Sequence, residues 1–149
     1  MKLYVGSDHG GVTLRQRLVA HAREQGHEIA DEIGPASAAD STDYPDIAAA
    51  VCGKVLADPG SFGLLVCGTG QGVAMSANRF KGIRAGVVSD VFSATMIRAH
   101  NDANVLCLGE RVVGGGLAEM LFDAFAHSQF QGGRHARRVG KIETLGDGD

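Results

Sequence analysis

Five short apolar runs, each followed by a longer stretch of helical periodicity, predict an α/β sandwich whose five-stranded, mostly parallel sheet is covered by helices on both faces. The polar and glycine-rich motifs point the same way, because they cluster directly after the apolar runs, where open parallel sheets bind their ligands. Length is the third observation. A chain of 149 residues suits one domain with a substantial core, and no Pro/Ser-rich linker, internal repeat or charge block divides it, so residues 1–149 are expected to form a single domain.

LYVG (3–6) is the first strand, and an amphipathic stretch over 12–25 the helix after it. HEIAD (27–31) is the second strand. It is followed by the longest irregular stretch, GPASAADSTDYPD (34–46), and a helix over 47–56; loops of that length in compact domains are often functional. FGLLVC (62–67) leads into a helix over 73–79, IRAGVV (83–88) into one over 91–100, and NVLCLG (104–109) into one over 117–127. A basic segment from His135 to about Leu145 supplies a C-terminal helix. The whole reads as a Rossmann-like three-layer sandwich.

Composition narrows the function. A formal charge of −3 argues against a polyanionic partner, so nucleic acid is not expected. The N-terminal apolar run is far too short for a signal peptide and nothing later spans a bilayer; a cytoplasmic protein without membrane contact is expected. Cys52, Cys67 and Cys107 are odd in number and lack zinc-site or redox spacing, which fits reduced thiols, at most one of them chemical. The 22 glycines fall in short clusters and mark tight turns.

Cys67 ends FGLLVC, with Gly68, Thr69, Gly70, Gln71 and Gly72 opening the next helix. Free backbone N–H groups and the positive end of a helix dipole there favour a thiolate, and side-chain-free amides form a pocket for an anion or oxyanion. The same position also suits a small buried hydrophobe that ends a strand. A dinucleotide fingerprint fits poorly: Val73 stands where the third glycine belongs and the loop follows a middle strand, although Asp90 lies at the spacing expected of the ribose-binding acid. No Gly-Lys-Ser/Thr follows, which excludes a Walker loop.

Three further motifs carry polar chemistry. In GSDHGG (6–11), Asp8 and His9 can accept from a hydroxyl, move a proton or touch a phosphate; the plainer alternative is an Asp N-cap beside a surface histidine. HNDAN (100–104) reads either as a polar site or as a helix end and turn. In GGRHARRVGK (132–141), Arg134 and Arg138 are four apart and share one helical face, a spacing that grips a phosphate from two directions, with Arg111 as a further charge. Arg137 lies off that face. The alternative is a solvated basic surface.

Taken together, SDHGG at 7–11, TDYPD at 42–46, CGTGQG at 67–72, ANRFKGIRA at 77–85, HNDANVL at 100–106, GERVVG at 109–114 and GGRHARRV at 132–139 resemble the type B ribose-5-phosphate isomerases, the family that also includes allose-6-phosphate isomerase and the subunits of galactose-6-phosphate isomerase. The resemblance covers nearly the whole chain. It implies a metal-free, cofactor-free interconversion of an aldose phosphate and a ketose phosphate through a cis-enediolate, with ribose 5-phosphate the first choice of substrate and allose, galactose or tetrose phosphates as alternatives.

By that similarity Cys67 is the base between C1 and C2, with Thr69 beside it, and Gly68, Gly70, Gln71 and Gly72 line the enediolate pocket. His100 and Asp8 assist ring opening, Tyr44 and Asn101 contact the sugar, and His9, Arg111, Arg134 and Arg138 clamp the phosphate. Some relatives use a glutamate further along the glycine loop, but Gln71 to Ala74 offer no carboxylate. The family implies a homodimer with sites shared between subunits, or a tetramer, with the stretch from His100 to Arg111 acting in trans to the Cys67 loop. Ser7 stands where relatives often carry alanine or cysteine, and Gln71 occupies a variable position. A non-catalytic phosphosugar sensor and a nucleotide-binding module are the competing classes; the first has no need of a cysteine beside a glycine loop, and the second no need of Arg134 and Arg138.

Overall fold

The computed structural model describes residues 1–148. Its strands β1 (Lys2–Ser7), β2 (Glu28–Ile33), β3 (Phe62–Cys67), β4 (Ala85–Val87) and β5 (Val105–Gly109) form one sheet in the order β2-β1-β3-β5-β4, with every pairing parallel. The helices are α1 (Val12–Glu24), α2 (Tyr44–Ala57), α3 (Gln71–Ala77), α4 (Val91–Ala99), α5 (Gly115–Ala126) and α6 (Arg134–Thr144), with a 3-10 turn over His9–Gly11 ahead of α1.

Strand alternation sorts the core onto two faces. Leu64, Val66, Leu106 and Leu108 join Leu3, Val5, Leu14, Leu18, Leu121, Phe122 and Phe125 beneath α1 and α5. Leu65, Cys67, Val105 and Cys107 point the other way and pack with Ile47, Val51, Cys52 and Val73 of α2 and α3. Central strands buried on both sides read as unbroken apolar runs, which is why FGLLVC and NVLCLG stand out in the sequence. Truncating any one of these leucines to alanine costs about 2–5 kcal/mol.

The helices begin earlier than periodicity alone suggests. Pro45 fits the first turn of α2, so that helix starts at Tyr44 rather than at 47, and Tyr44 leaves the loop to become its first residue. Likewise α3 starts at Gln71, α5 at Gly115 and α6 at Arg134, because polar and glycine residues in a first turn carry no apolar signal. Among the described residues no helix is long and apolar enough to cross a membrane.

The chain runs from β1 outward to β2, then returns past β1 to β3. The connections leaving β1 and β3 therefore diverge at the carboxyl edge of the sheet, the place where open parallel sheets bind their ligands. Asp8 opens the first of those loops, and Cys67 is the last strand residue before the second.

Candidate active site

The β1 loop supplies Asp8 and His9. Asp8 is buried and N-caps the 3-10 turn, its Oδ1 accepting from Gly10 N at 2.9 Å, so the capping role that the motif allowed is real. Oδ2 makes no hydrogen bond within the chain among the described residues. The His9 ring is held by Nδ1, 3.2 Å from both the carbonyl and the amide of Thr42, which leaves Nε2 without a hydrogen bond among the described residues. Gly10 packs against the second loop: a Cβ on it would lie 3.2 Å from Gly68 N.

In that second loop Cys67 ends β3, only 5% exposed, on the α2/α3 side of the sheet. Gly70 N donates to its Sγ at 3.2 Å, as a donor placed for a thiolate would. Gly70 has φ +80°, and a Cβ there would sit 3.0 Å from the backbone of Leu108, so glycine is required on both counts. Thr69 Oγ1 accepts from the Gln71 amide at 3.3 Å, and Gln71 is exposed at the start of α3. Gly72 lies under Tyr44, whose ring atoms would be 2.8 Å from a Cβ; the half-exposed phenol thus walls the glycine loop. Of the other two thiols, burial pushes Cys52 up to about 11 and Cys107 well above the usual thiol range, consistent with inert core residues.

Arg111 corrects an expectation. Because β5 runs parallel beside β3, the loop leaving β5 emerges at the same edge of the sheet as the loop leaving β3, so Arg111 lies in cis to the Cys67 loop of its own chain. Its amide donates to Gly68 O at 3.0 Å, and its guanidinium lies 3.5 Å from where a Gly68 Cβ would project.

His100, Asn101, Arg134 and Arg138 form a separate group. His100 closes α4 before β5 begins, and the carbonyl of Asn104, four residues on, accepts from Gly63 N at the start of β3. The strand pairing runs from Gly63↔Val105 to Cys67↔Gly109, about 13 Å of strand, so His100 stands at the opposite edge of the sheet from Cys67 of the same chain. The His100 ring stacks on that of His135, centroids 4.1 Å apart and planes 9° from parallel. His135 is buried in α6, and burial, then the neighbouring charges of His100, Arg134 and Arg138, lowers its pKa. Gln131 N donates to Ala99 O at 2.9 Å and fixes the approach to α6, from which Arg134 and Arg138 project into solvent. Among the described residues neither these two arginines nor Arg111 has a carboxylate partner. Asn101 is exposed on the rim of a cavity of about 630 Å³ between the end of α6 and residues 78–86.

Two residues bear on the site without having drawn attention in the sequence. The Thr42 hydroxyl is buried beside His9 with no hydrogen-bond partner among the described residues, leaving both its donor and acceptor unused. Arg15, 3% exposed, donates to Ser7 Oγ at 2.8 Å, Pro35 O at 2.6 Å and Glu32 Oε1 at 3.0 Å; it ties β1, β2 and the 34–43 loop together behind Asp8. Ser7 therefore belongs to this scaffold rather than to the sugar pocket. Arg15 is buried on α1 with Leu14 and Leu18, and an inward charge is legible there only once its partners are known.

Residues 3–142 match the model of the Ribose/Galactose Isomerase family. The chain belongs to that family. Among family members, it is 45% identical to the ribose-5-phosphate isomerase B of Escherichia coli (strain K12) over 144 residues, 97% of this chain and 95% of that protein. The solved ribose-5-phosphate isomerase B of Clostridium thermocellum superposes with a TM-score of 0.93 at 44% identity, covering 97% of each chain. That of Mycoplasma genitalium, solved with bound ribulose-5-phosphate, superposes with a TM-score of 0.91 at 37% identity, covering 99% of this chain and 97% of that one. The chain is accordingly an aldose-ketose isomerase of the sugar-phosphate class.

Proposed function

We propose that this isomerase interconverts D-ribose 5-phosphate and D-ribulose 5-phosphate through a cis-enediolate, without a metal, at sites each built from two copies of the chain. One observation carries the reading. The acid/base groups and phosphate ligands that the chemistry needs fall into two sets at opposite edges of one sheet, so Cys67, Asp8, His9, Tyr44 and Arg111 of one copy require His100, Asn101, Arg134 and Arg138 of another. The relatives named for ribose 5-phosphate support the substrate; a cytoplasmic place in the pentose phosphate pathway is part of the same reading.

The sugar enters as a ring. His100 protonates the ring oxygen while Asp8 takes the C1 hydroxyl proton, and the ring opens to the aldehyde. The Cys67 thiolate, held by the Gly70 amide, then removes the C2 proton and returns it to C1, while the hydroxyl proton on O2 passes to O1, so that the C2 carbonyl and C1 hydroxyl of the ketose form. Negative charge gathers on the enediolate oxygen in between. The Gly70 amide is on Sγ and the Gln71 amide on Thr69 Oγ1, so the amides of Gly68, Thr69 and Gly72 are the loop donors left for that oxygen, each worth about 3 kcal/mol when well placed. That electrophilic help is what a metal would otherwise supply. His9 and Arg111 grip the phosphate from one chain and Arg134 and Arg138 from the other, which fixes C1 and C2 over the thiolate.

Mixing Cys67→Ser with His100→Gln subunits tests the shared site. In a heterodimer one site carries both lesions and the other neither, so two inactive proteins refolded together recover roughly a quarter of parental turnover if they assort at random into twofold dimers. No recovery in verified heterodimers refutes the two-chain site.

A further inference from the structure

Asp102 is the one non-glycine residue with positive φ among the described residues, at +49°. L-residues occupy that region under strain, and aspartate tolerates it better than most. Strain of this kind persists only where the surroundings impose it. Here two arginines do. Oδ1 accepts from Arg98 Nη1 at 2.7 Å, Oδ2 from Arg84 Nη2 at 3.3 Å, and the Asp102 carbonyl from Arg84 Nε at 2.9 Å.

Both guanidiniums are themselves fixed. Their side chains are only 13% and 18% exposed; Arg98 also donates to the Ala103 carbonyl at 2.8 Å and lies over the Phe62 ring. Arg84 Nη1 reaches Glu143 near the end of α6, and the Arg84 amide donates to Asn104 Oδ1. One carboxylate thus joins α4, the entry to β4 and, through Arg84, the helix that carries Arg134 and Arg138. His100 lies two residues before it, and Asn101 is adjacent.

We propose that Asp102 is a positioning residue for the isomerisation: clamped by Arg84 and Arg98, it imposes the left-handed turn that aims His100 and Asn101 at the sugar. The proposal rests on the reading of His100 as the ring-opening acid. Both Asp102 carboxylate oxygens are taken up by the arginines, so it acts through its neighbours. A glycine would adopt the same φ at less cost, so backbone geometry alone does not account for a carboxylate held at both oxygens.

The test uses the full-length protein with Asp102→Gly, which keeps the turn accessible and removes the clamp, and with Asp102→Asn, which keeps side-chain shape and left-handed tolerance and removes the charge. Each is made in the parent and in a His100→Gln background, and kcat and KM for ribose 5-phosphate are measured alongside circular dichroism. A tenfold or greater fall in kcat is expected in the parent background, with KM within about threefold. In the His100→Gln background the same changes should cost less than about twofold more, because residues that act through one another are not additive. Parent-like kcat in a folded Asp102 variant, or the full loss repeated without His100, overturns the proposal. Parent-like turnover in His100→Gln alone refutes the ring-opening reading instead, and the positioning role falls with it.

Discussion

Gly70 and Gly72 lie two residues apart in the same loop, yet alanine at each should do opposite things. At Gly70, φ +80° costs an L-residue about 1–2 kcal/mol. The new Cβ would also press on Leu108 C at 3.0 Å and Gly109 N at 3.2 Å, backbone atoms of a central strand that cannot swing aside. Overpacking of that kind adds about 1–3 kcal/mol, for a total near 3, which lowers Tm by about 6–12 °C in a chain of this length. Because the Gly70 amide holds Cys67 Sγ, kcat should fall by about 10²–10³, the cost of losing one placed donor. At Gly72 the backbone is helical, and the atoms nearest the Cβ belong to the ring of Tyr44, a residue 43% exposed that can swing aside. Gly72→Ala should therefore leave Tm level or raise it, with up to about 1 kcal/mol of helix propensity gained, while KM rises several-fold as the ring is displaced. Thermal unfolding and steady-state kinetics on the pair decide it. If both variants are equally damaged, or Gly70→Ala behaves like the parent, the steric reasoning is wrong.

Removing Arg15 leaves the Ser7 hydroxyl buried without its partner and breaks the bridge to Glu32 of β2, so Arg15→Ala should cost about 3 kcal/mol, read as a lower denaturation midpoint at an unchanged denaturant slope. Thr42→Val replaces an orphaned buried hydroxyl with a methyl group; stability should hold or rise by up to about 1 kcal/mol while KM for the sugar phosphate increases, which separates a ligand contact from a structural one. Burial holds the pKa values of His27 and His135 below their ordinary 6.5 in the folded chain, so the unfolded chain takes up protons first as pH falls. Stability should accordingly be level above about pH 6.5 and decline below it, and His27→Phe, which keeps the edge-on packing with Phe122, should flatten that decline in a pH series of Tm values.

The sequence carries the order of the chemical groups along the chain better than their partition in space. Apolar runs bounded by glycine make β3 and β5 legible, and the position of Cys67 at the end of one of them comes directly from that pattern. The opposed placement of His100 and Arg111 has the same origin: one precedes a parallel strand and the other succeeds it, so they cannot share an edge. Treating His100 to Arg111 as one stretch acting in trans misses that parity. Helix starts at Tyr44 and Arg134 are hidden because caps and first turns are chosen for backbone hydrogen bonding and dipole, not for burial. Arg15, Thr42 and Asp102 are illegible for a different reason. Their importance lies in partners 8 to 33 residues away or in a backbone angle, and a single sequence displays neither.

The most direct test is the rate of ketose formation from ribose 5-phosphate by the purified protein in EDTA, with Cys67→Ser beside it. Turnover that survives the chelator and vanishes in a serine variant still stabilised by the sugar phosphate is the expected result. Parental turnover in Cys67→Ser, or activity abolished by EDTA and restored by a metal, would contradict a cysteine base working in a pocket of backbone amides.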